Sequence, residues 1–212
     1  DASGLQFDLY ARRILGQEDR LARVNLRQSL QHLSFRLGEQ FLHPEHRRLL
    51  TTYYQNTSGI GMAIISKREH PARVGVIGLG SGTLAAYGRA GDVFRFYDIN
   101  PAVVRIARED FTYLADSEAK IDVVLGDARL SLKNAPDRES GLLALDAFSG
   151  DAIPIHLLTR EAVALYLRKL KPRGCLALHL TNGYLALEPV IIAIAADLGV
   201  PAAVKFDTVK TP

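Results

Sequence analysis

The stretch VIGLGSGT, Val76–Thr83, decides the fold. An apolar run ends at Gly78, and Gly80 and Gly82 follow at alternate positions before a helix-forming stretch. Glycine lets the backbone turn sharply and lets a ligand approach the main chain closely. The dinucleotide fingerprint needs its third glycine one position later, where Thr83 stands. The pattern here is G-x-G-x-G, which suits a nucleoside without a pyrophosphate. The plain alternative is a turn that holds nothing.

The glycine turn sits inside a regular alternation. Residues 72–79 read as a strand and 81–91 as a helix ended by Gly91. A strand follows at 93–99, then a helix at 100–115 with Asn100 as its cap and Pro101 at its first position. Residues 121–127 are a strand and ARLSLKN a short helix. Strand 141–146, helix 159–171 capped by Thr159, strand 175–181, helix 188–199 and strand 202–207 complete the series. Strands that are apolar throughout, alternating with amphipathic helices, make an α/β fold with a doubly wound, mostly parallel sheet. Before residue 70 the chain is richer in Arg, Gln and His. LARVNL, QHLSFRL and EQFL read there as short strands, and SGIGMAIIS as a helix with Ser58 as cap. The division expected is a β-containing N-terminal segment with a connecting helix, 1–66, and a nucleoside-binding α/β domain, 67–212.

A parallel sheet of this kind binds ligands beyond the carboxyl ends of its strands. Gly78, Gly80, Gly82, Asp98, Asp127 and Asp146 all fall at such ends, so they should converge on one crevice. In FYDIN, Asp98 ends the second strand, where a carboxylate can accept two hydrogen bonds from ribose hydroxyls. In VLGDAR, Asp127 ends the third strand, where it can receive an adenine amino group. Ile99 and Ala128, next in the chain, join the nucleoside-binding set. Each acid also has a plainer reading, Asp98 as an acid favoured by the following helix dipole and Asp127 as a helix cap.

The fourth strand runs into LDAFSGDAIPIHLLTREAVALYL, with Asp146 at its end, Asp151 five residues on, and Pro154 before a helix. With the glycine loop, Asp98 and Asp127, this order resembles the S-adenosylmethionine-dependent methyltransferase fold. Within it, the chain resembles the spermidine synthase (polyamine aminopropyltransferase) family over roughly residues 25–200. The stretch DAFSGDAIP with LLTREA is similar to bacterial members fused to a membrane-spanning part. The family carries a Gln and a Tyr-His-Glu sequence near its substrate. Here LGEQFL supplies Gln40 and TTYYQNTSG supplies Tyr54. The amine side departs from the family. Gln55 and Asn56 replace His and Glu, the paired acids are stretched to Asp146 and Asp151, and Asn100 replaces a second acid after Asp98.

The resemblance implies an aminopropyl transfer in polyamine biosynthesis. Decarboxylated S-adenosylmethionine would be the co-substrate, without a metal, and the acceptor a small amine such as putrescine. Asp146 would accept the proton of the attacking amine, while Gln40, Tyr54 and Asp151 bind it. It implies a cytoplasmic location, at the inner face of the membrane if a membrane-spanning part lies outside this chain, and a homodimer is among the assemblies it allows. The alternatives are a methyltransferase using S-adenosylmethionine and a non-catalytic nucleoside- or polyamine-sensing domain of a membrane protein. The family's sheet closes with an antiparallel strand after AAVKFD, for which nothing remains here. The chain is therefore expected to be a fragment, or to have an ordered part that stops early.

The 212 residues are 48% apolar and 23% charged, which suits one packed core rather than disorder. A formal charge of +3 is mild, and aromatics are not interleaved with basic residues, so nucleic acid is not an expected partner. No apolar run approaches the roughly 20 residues of a membrane helix, and DASGLQFDLY lacks the marks of a signal peptide. Cys175, the one cysteine, reads as a small buried hydrophobe, which fits a reducing compartment. His43 and His46 lack a third metal ligand. Ser149 lacks a hydrolase elbow. His156 and His179 fall to either the crevice or the core.

Overall fold

A computed structural model of the chain describes residues 21–23, 38–41, 43–51, 54–66, 71–148, 153–180 and 185–206. Two short strands, β1 (Leu21–Arg23) and β2 (Glu39–Phe41), pair antiparallel. The first helix is α1 (Gly59–Ser66). The main sheet follows as β3 (Arg73–Ile77), β4 (Val93–Asp98), β5 (Lys120–Leu125), β6 (Ser140–Leu145) and β7 (Leu170–Leu178). Between its strands run α2 (Pro101–Glu109), α3 (Tyr113–Asp116), α4 (Ala128–Asn134) and α5 (Arg160–Lys169), with α6 (Glu188–Asp197) after β7.

The five strands lie in the order β5-β4-β3-β6-β7, and every pairing is parallel. The chain enters at the centre with β3, moves to one edge, then returns to the other side of β3 with β6. That reversal between β3 and β6 is the switch point at which such sheets bind ligands.

Side chains alternate along the strands into two cores. Val74, Val76, Phe94, Phe96, Leu142 and Ala144 pack on one face with Ile60 and Ile64 of α1 and Ala107 of α2. Ile77, Tyr97, Leu143 and Leu145 pack on the other with Leu132 of α4, Tyr166 of α5 and Ile191 of α6. This is why the strands are largely apolar on both faces, and the charged residues inside β4 and β5, Arg95 and Asp122, face each other as an ion pair at 2.7 Å. Phe94 and Phe96 are almost wholly buried, and each ring contributes about 1.5–3 kcal/mol by leaving water. Cys175 is half-buried and packs against the first core.

The helix starts follow the local chemistry. Asn100 accepts from the N–H of Ala102, with Pro101 next to it, and Thr159 accepts from the N–H of Ala162. Ser58 Oγ accepts from the N–H of Gly61 at 3.0 Å. Caps of this type contribute about 1 kcal/mol each.

Several expected elements differ. Residues 81–91 form only a five-residue 3-10 helix, Thr83–Tyr87. Gly82 enters it at φ 81° and Gly88 leaves it extended, so glycines cut it at both ends. The helix expected over 100–115 divides into α2 and α3. Gln40 holds the break: its Oε1 accepts from the N–H of Thr112 at 2.9 Å, and its Nε2 donates to Thr112 Oγ1 at 2.8 Å. The helix expected to reach 171 stops at Lys169, and the strand expected over 175–181 spans Leu170–Leu178. Pro172 gives no N–H to the ladder, and the register with β6 shifts between Ser140 and Leu142. The strand expected over 202–207 is not formed: residues 201–206 are irregular and exposed, and Asp207 is outside the described residues. QHLSFRL is also outside them. No helix among the described residues is long and apolar enough to cross a membrane.

Candidate functional site

Parallel pairing brings the strand ends to one edge, and the backbone ladder continues just past them. Gly126 N–H donates to the Asp98 carbonyl, Gly78 N–H to Tyr97, Asp146 N–H to Ile77 and His179 N–H to Leu145, all at 2.8–2.9 Å. Asp127, Asp98, the glycine loop, Asp146 and His179 therefore follow one another along a single edge in strand order. The three acids and the glycines lie along this one edge, and β7 adds a histidine.

Gly78, Gly80 and Gly82 have φ of 101°, 55° and 81°, all in the left-handed region that favours glycine. A side chain on Gly78 would run into the carbonyl oxygen of Asp146 and lie 2.8 Å from its carbonyl carbon. The loop thus passes directly over the end of β6. Asp98 holds it there: Oδ2 accepts from the N–H of Leu79 at 3.0 Å, and Oδ1 from the N–H of Asn100 at 2.9 Å. Burial pushes the Asp98 carboxyl above the ordinary aspartate value, against the opposing pull of these two N–H groups. Each carboxylate oxygen has a second lone pair to offer a ligand. Ile99, next to it, is 70% exposed.

Asp127 does cap a helix. Its Oδ1 accepts from the N–H of Leu130 at 2.8 Å, and its Oδ2 lies 3.4 Å from His156 Nε2. Arg129 in turn donates to the His156 carbonyl at 3.0 Å. Ala128 is buried, whereas Leu130 is largely exposed. Ile99, next to Asp98, and Leu130, whose N–H is bonded by Asp127, are exposed apolar surface, the kind of surface a purine face can cover.

Asp146 is buried at the end of β6. The Tyr54 hydroxyl donates to its Oδ2, and His179 Nδ1 lies 2.7 Å from its Oδ1. Tyr54 is fixed at its other end, because the Tyr87 hydroxyl donates to its carbonyl at 2.7 Å. The Phe148 ring stands edge-on to His179, with centroids 5.1 Å apart and planes at 76°. The result is a Tyr–Asp–His cluster beside the glycine turn, able to hold a negative charge and to pass a proton.

The remaining candidates are placed differently. Gln40 is buried, and its carboxamide is committed to Thr112 and to the Arg47 carbonyl, so it ties β2 to the start of α3. Asp151 and Ser149 lie outside the described residues. Gln55 is half-buried and Asn56 exposed. The His43 and His46 rings are 5.3 Å apart, and no group of three or more potential metal ligands occurs among the described residues. His179 was left undecided by the sequence. Its signal was its position one residue beyond β7, as Asp146 is one residue beyond β6.

No family model matches the chain. Over 129 residues it is 28% identical to a polyamine aminopropyltransferase of Vibrio vulnificus, a span covering 58% of this chain and 40% of that protein. The chain thus spans well under half of the curated relative's length. Among solved structures it is similar to human methyltransferase-like protein 13 in complex with SAH. The TM-score is 0.51 and the identity 17%, over 64% of this chain and 69% of that one. It is also similar to a precorrin-6y C5,15-methyltransferase from Geobacter metallireducens, with TM-score 0.50 and 20% identity over 68% and 71%. The fold is the Rossmann-like α/β fold of S-adenosylmethionine-dependent methyltransferases.

Proposed function

We propose that this chain carries the catalytic domain of a spermidine synthase-like aminopropyltransferase, acting on decarboxylated S-adenosylmethionine and a small amine. The observation that carries the reading is the Asp146 carboxylate, bonded by Tyr54 and set against the Gly78 turn. These are the two acceptor-side positions of the family resemblance that the fold brings into contact. The identity to an aminopropyltransferase supports it.

The residues of the edge suit such a donor. Its nucleoside lies over Gly78–Gly82, its ribose hydroxyls donate to the remaining lone pairs of Asp98, and its adenine lies by Ile99 with the amino group toward Asp127. The sulfonium then comes to the end of β6. There the amine nitrogen attacks the carbon next to sulfur. A C–N bond forms as the C–S bond breaks, and methylthioadenosine leaves. The amine must give up a proton on the way, and the charge of Asp146 draws it off. Holding the two reactants in line supplies much of the remaining acceleration. Asp151 binds a second ammonium of the acceptor.

A second reading, methyl transfer from S-adenosylmethionine, is favoured by one feature. Gln55 and Asn56 follow Tyr54 where the resembled family carries His and Glu, which leaves the amine side less acidic. Calorimetry with both sulfonium compounds, followed by mass spectrometry of products with a panel of amines, separates the readings. Methylthioadenosine and an aminopropylated amine support the first. S-adenosylhomocysteine and a methylated product support the second. Tight nucleoside binding with no turnover of either donor leaves a sensing domain.

A further inference from the structure

We propose that His179, rather than Asp146 itself, receives the proton of the attacking amine, with Asp146 holding the imidazole as its orienting partner. This rests on the aminopropyl-transfer reading of the same site. Three observations lead to it.

The first is access. The Asp146 side chain is 4% exposed, and each of its oxygens already accepts a bond, Oδ2 from Tyr54 and Oδ1 from His179. An amine would have to reach a buried oxygen past one of these two donors. The His179 side chain is 18% exposed.

The second is the tautomer. A carboxylate only accepts hydrogen bonds, so the imidazole nitrogen facing it, Nδ1, carries the hydrogen. In a neutral imidazole the basic lone pair is then on Nε2. The third is orientation. His179 N–H is bonded to the Leu145 carbonyl, and the Phe148 ring stands edge-on to the imidazole. The ring is therefore held from the backbone, from Nδ1 and from one side.

An Asp that fixes the tautomer of a His, and then stabilises the imidazolium, is a recurrent way to make a base of the second nitrogen. The proton balance is simple. The amine nitrogen forms its bond to the donor carbon, the C–S electron pair stays with sulfur, and the amine proton passes to Nε2. The resulting imidazolium keeps its Nδ1 hydrogen on Asp146 and later returns a proton to solvent. Tyr54 stabilises the charge of Asp146 throughout.

The test compares the whole chain with His179→Gln and His179→Ala, using decarboxylated S-adenosylmethionine and the best amine of the panel. Methylthioadenosine affinity is measured in each variant as the check of an intact nucleoside site. His179→Gln is expected to lose roughly 10²–10⁴-fold in kcat, the range for a general base, with KM within about threefold of wild type. Added imidazole should restore part of the turnover of His179→Ala. Nitrogen NMR of the wild type should show hydrogen on Nδ1 and the lone pair on Nε2. A His179→Gln enzyme within about fivefold of wild-type kcat overturns the proposal while leaving aminopropyl transfer standing. Hydrogen on Nε2 in the wild-type spectrum overturns it as well, whatever the variants do. A wild type that transfers nothing to any amine overturns both the proposal and the reading beneath it.

Discussion

Tyr54 and Asp146 stand 92 residues apart in the chain, and the Tyr54 hydroxyl donates to Oδ2 of Asp146. The bond joins the segment ahead of α1 to the end of the fourth sheet strand. Neither end is adjustable. The Tyr54 carbonyl accepts from Tyr87, and the backbone of Asp146 is pinned under the Gly78 turn. The segment ahead of α1 thus supplies a hydrogen-bond donor to the carboxylate at the end of β6.

Tyr54→Phe keeps the ring in the core and removes only the hydroxyl. Asp146 then loses a donor in a buried place. Unfolding in denaturant should show a loss of about 1.5–3 kcal/mol, the scale of hydrogen bonds to charged groups. Methylthioadenosine affinity, measured by calorimetry, should stay near wild type, because the acids proposed to hold the nucleoside, at the end of β4 and the start of α4, are untouched. Unchanged stability together with weakened nucleoside binding would contradict this placement of the bond.

Asp98 ties the glycine loop, and in the proposed function it also receives the ribose. Asp98→Ala should weaken methylthioadenosine binding by about 1.5–3 kcal/mol. Its pH dependence carries a definite sign. Burial raises its carboxyl above the ordinary 3.8. Between that value and the raised one, the folded chain binds more protons than the unfolded chain. The stability owed to this group therefore falls as pH rises through the interval, and is level above it. Nucleoside affinity should move the opposite way, growing as the carboxylate ionises. Unfolding curves of wild type and Asp98→Asn across acid pH test it. A wild-type advantage that increases with pH over that interval would be contrary.

Much of this edge was legible in the sequence, and the reasons are local. The strands from residue 72 onward are mostly apolar because both faces are covered, and Asn100 and Thr159 cap where their side chains can reach an early helix N–H. What escaped the sequence depended on partners far away. The break at Thr112 is held by Gln40, 72 residues earlier, and periodicity carries no trace of it. The early start of β7 depends on a register shift across from β6. The truncated helix after Gly82 was readable in principle, since Gly88 lies in the middle of the expected span. His179 sat at a strand end like the acids, yet histidine is as much at home in a core as in a crevice, so only its contact with Asp146 distinguishes the two.

Gly78→Ala should be costly for two separable reasons. The backbone there has φ 101°, and the added carbon would meet the Asp146 carbonyl. A loss well above the roughly 1 kcal/mol of an ordinary glycine replacement is expected, together with loss of nucleoside binding. Gly59→Ala, at the start of α1 with nothing within 4 Å of the added carbon, should change stability by no more than about 1 kcal/mol. Thermal unfolding of the two variants side by side provides the comparison, and equal effects would refute the close approach of the loop to β6.

The loops GLGSGT and DAFSGDAIP contain no Arg or Lys to receive a methionine carboxylate. Calorimetry should therefore find decarboxylated S-adenosylmethionine bound more tightly than the carboxylated form. The reverse order would favour methyl transfer.

The most direct measurement is the turnover of Asp146→Asn beside wild type, with decarboxylated S-adenosylmethionine and a panel of amines, counting methylthioadenosine and aminopropylated product. The substitution keeps the shape of the side chain and removes the charge proposed to draw the proton. Wild type should make both products in equal amounts, and the variant should be slower by roughly 10²–10⁴-fold, with methylthioadenosine affinity nearly unchanged because Asp98 and Asp127 are intact. A variant with full kcat would contradict the role of Asp146, and a wild type that yields S-adenosylhomocysteine from S-adenosylmethionine, or no product from either donor, would contradict aminopropyl transfer.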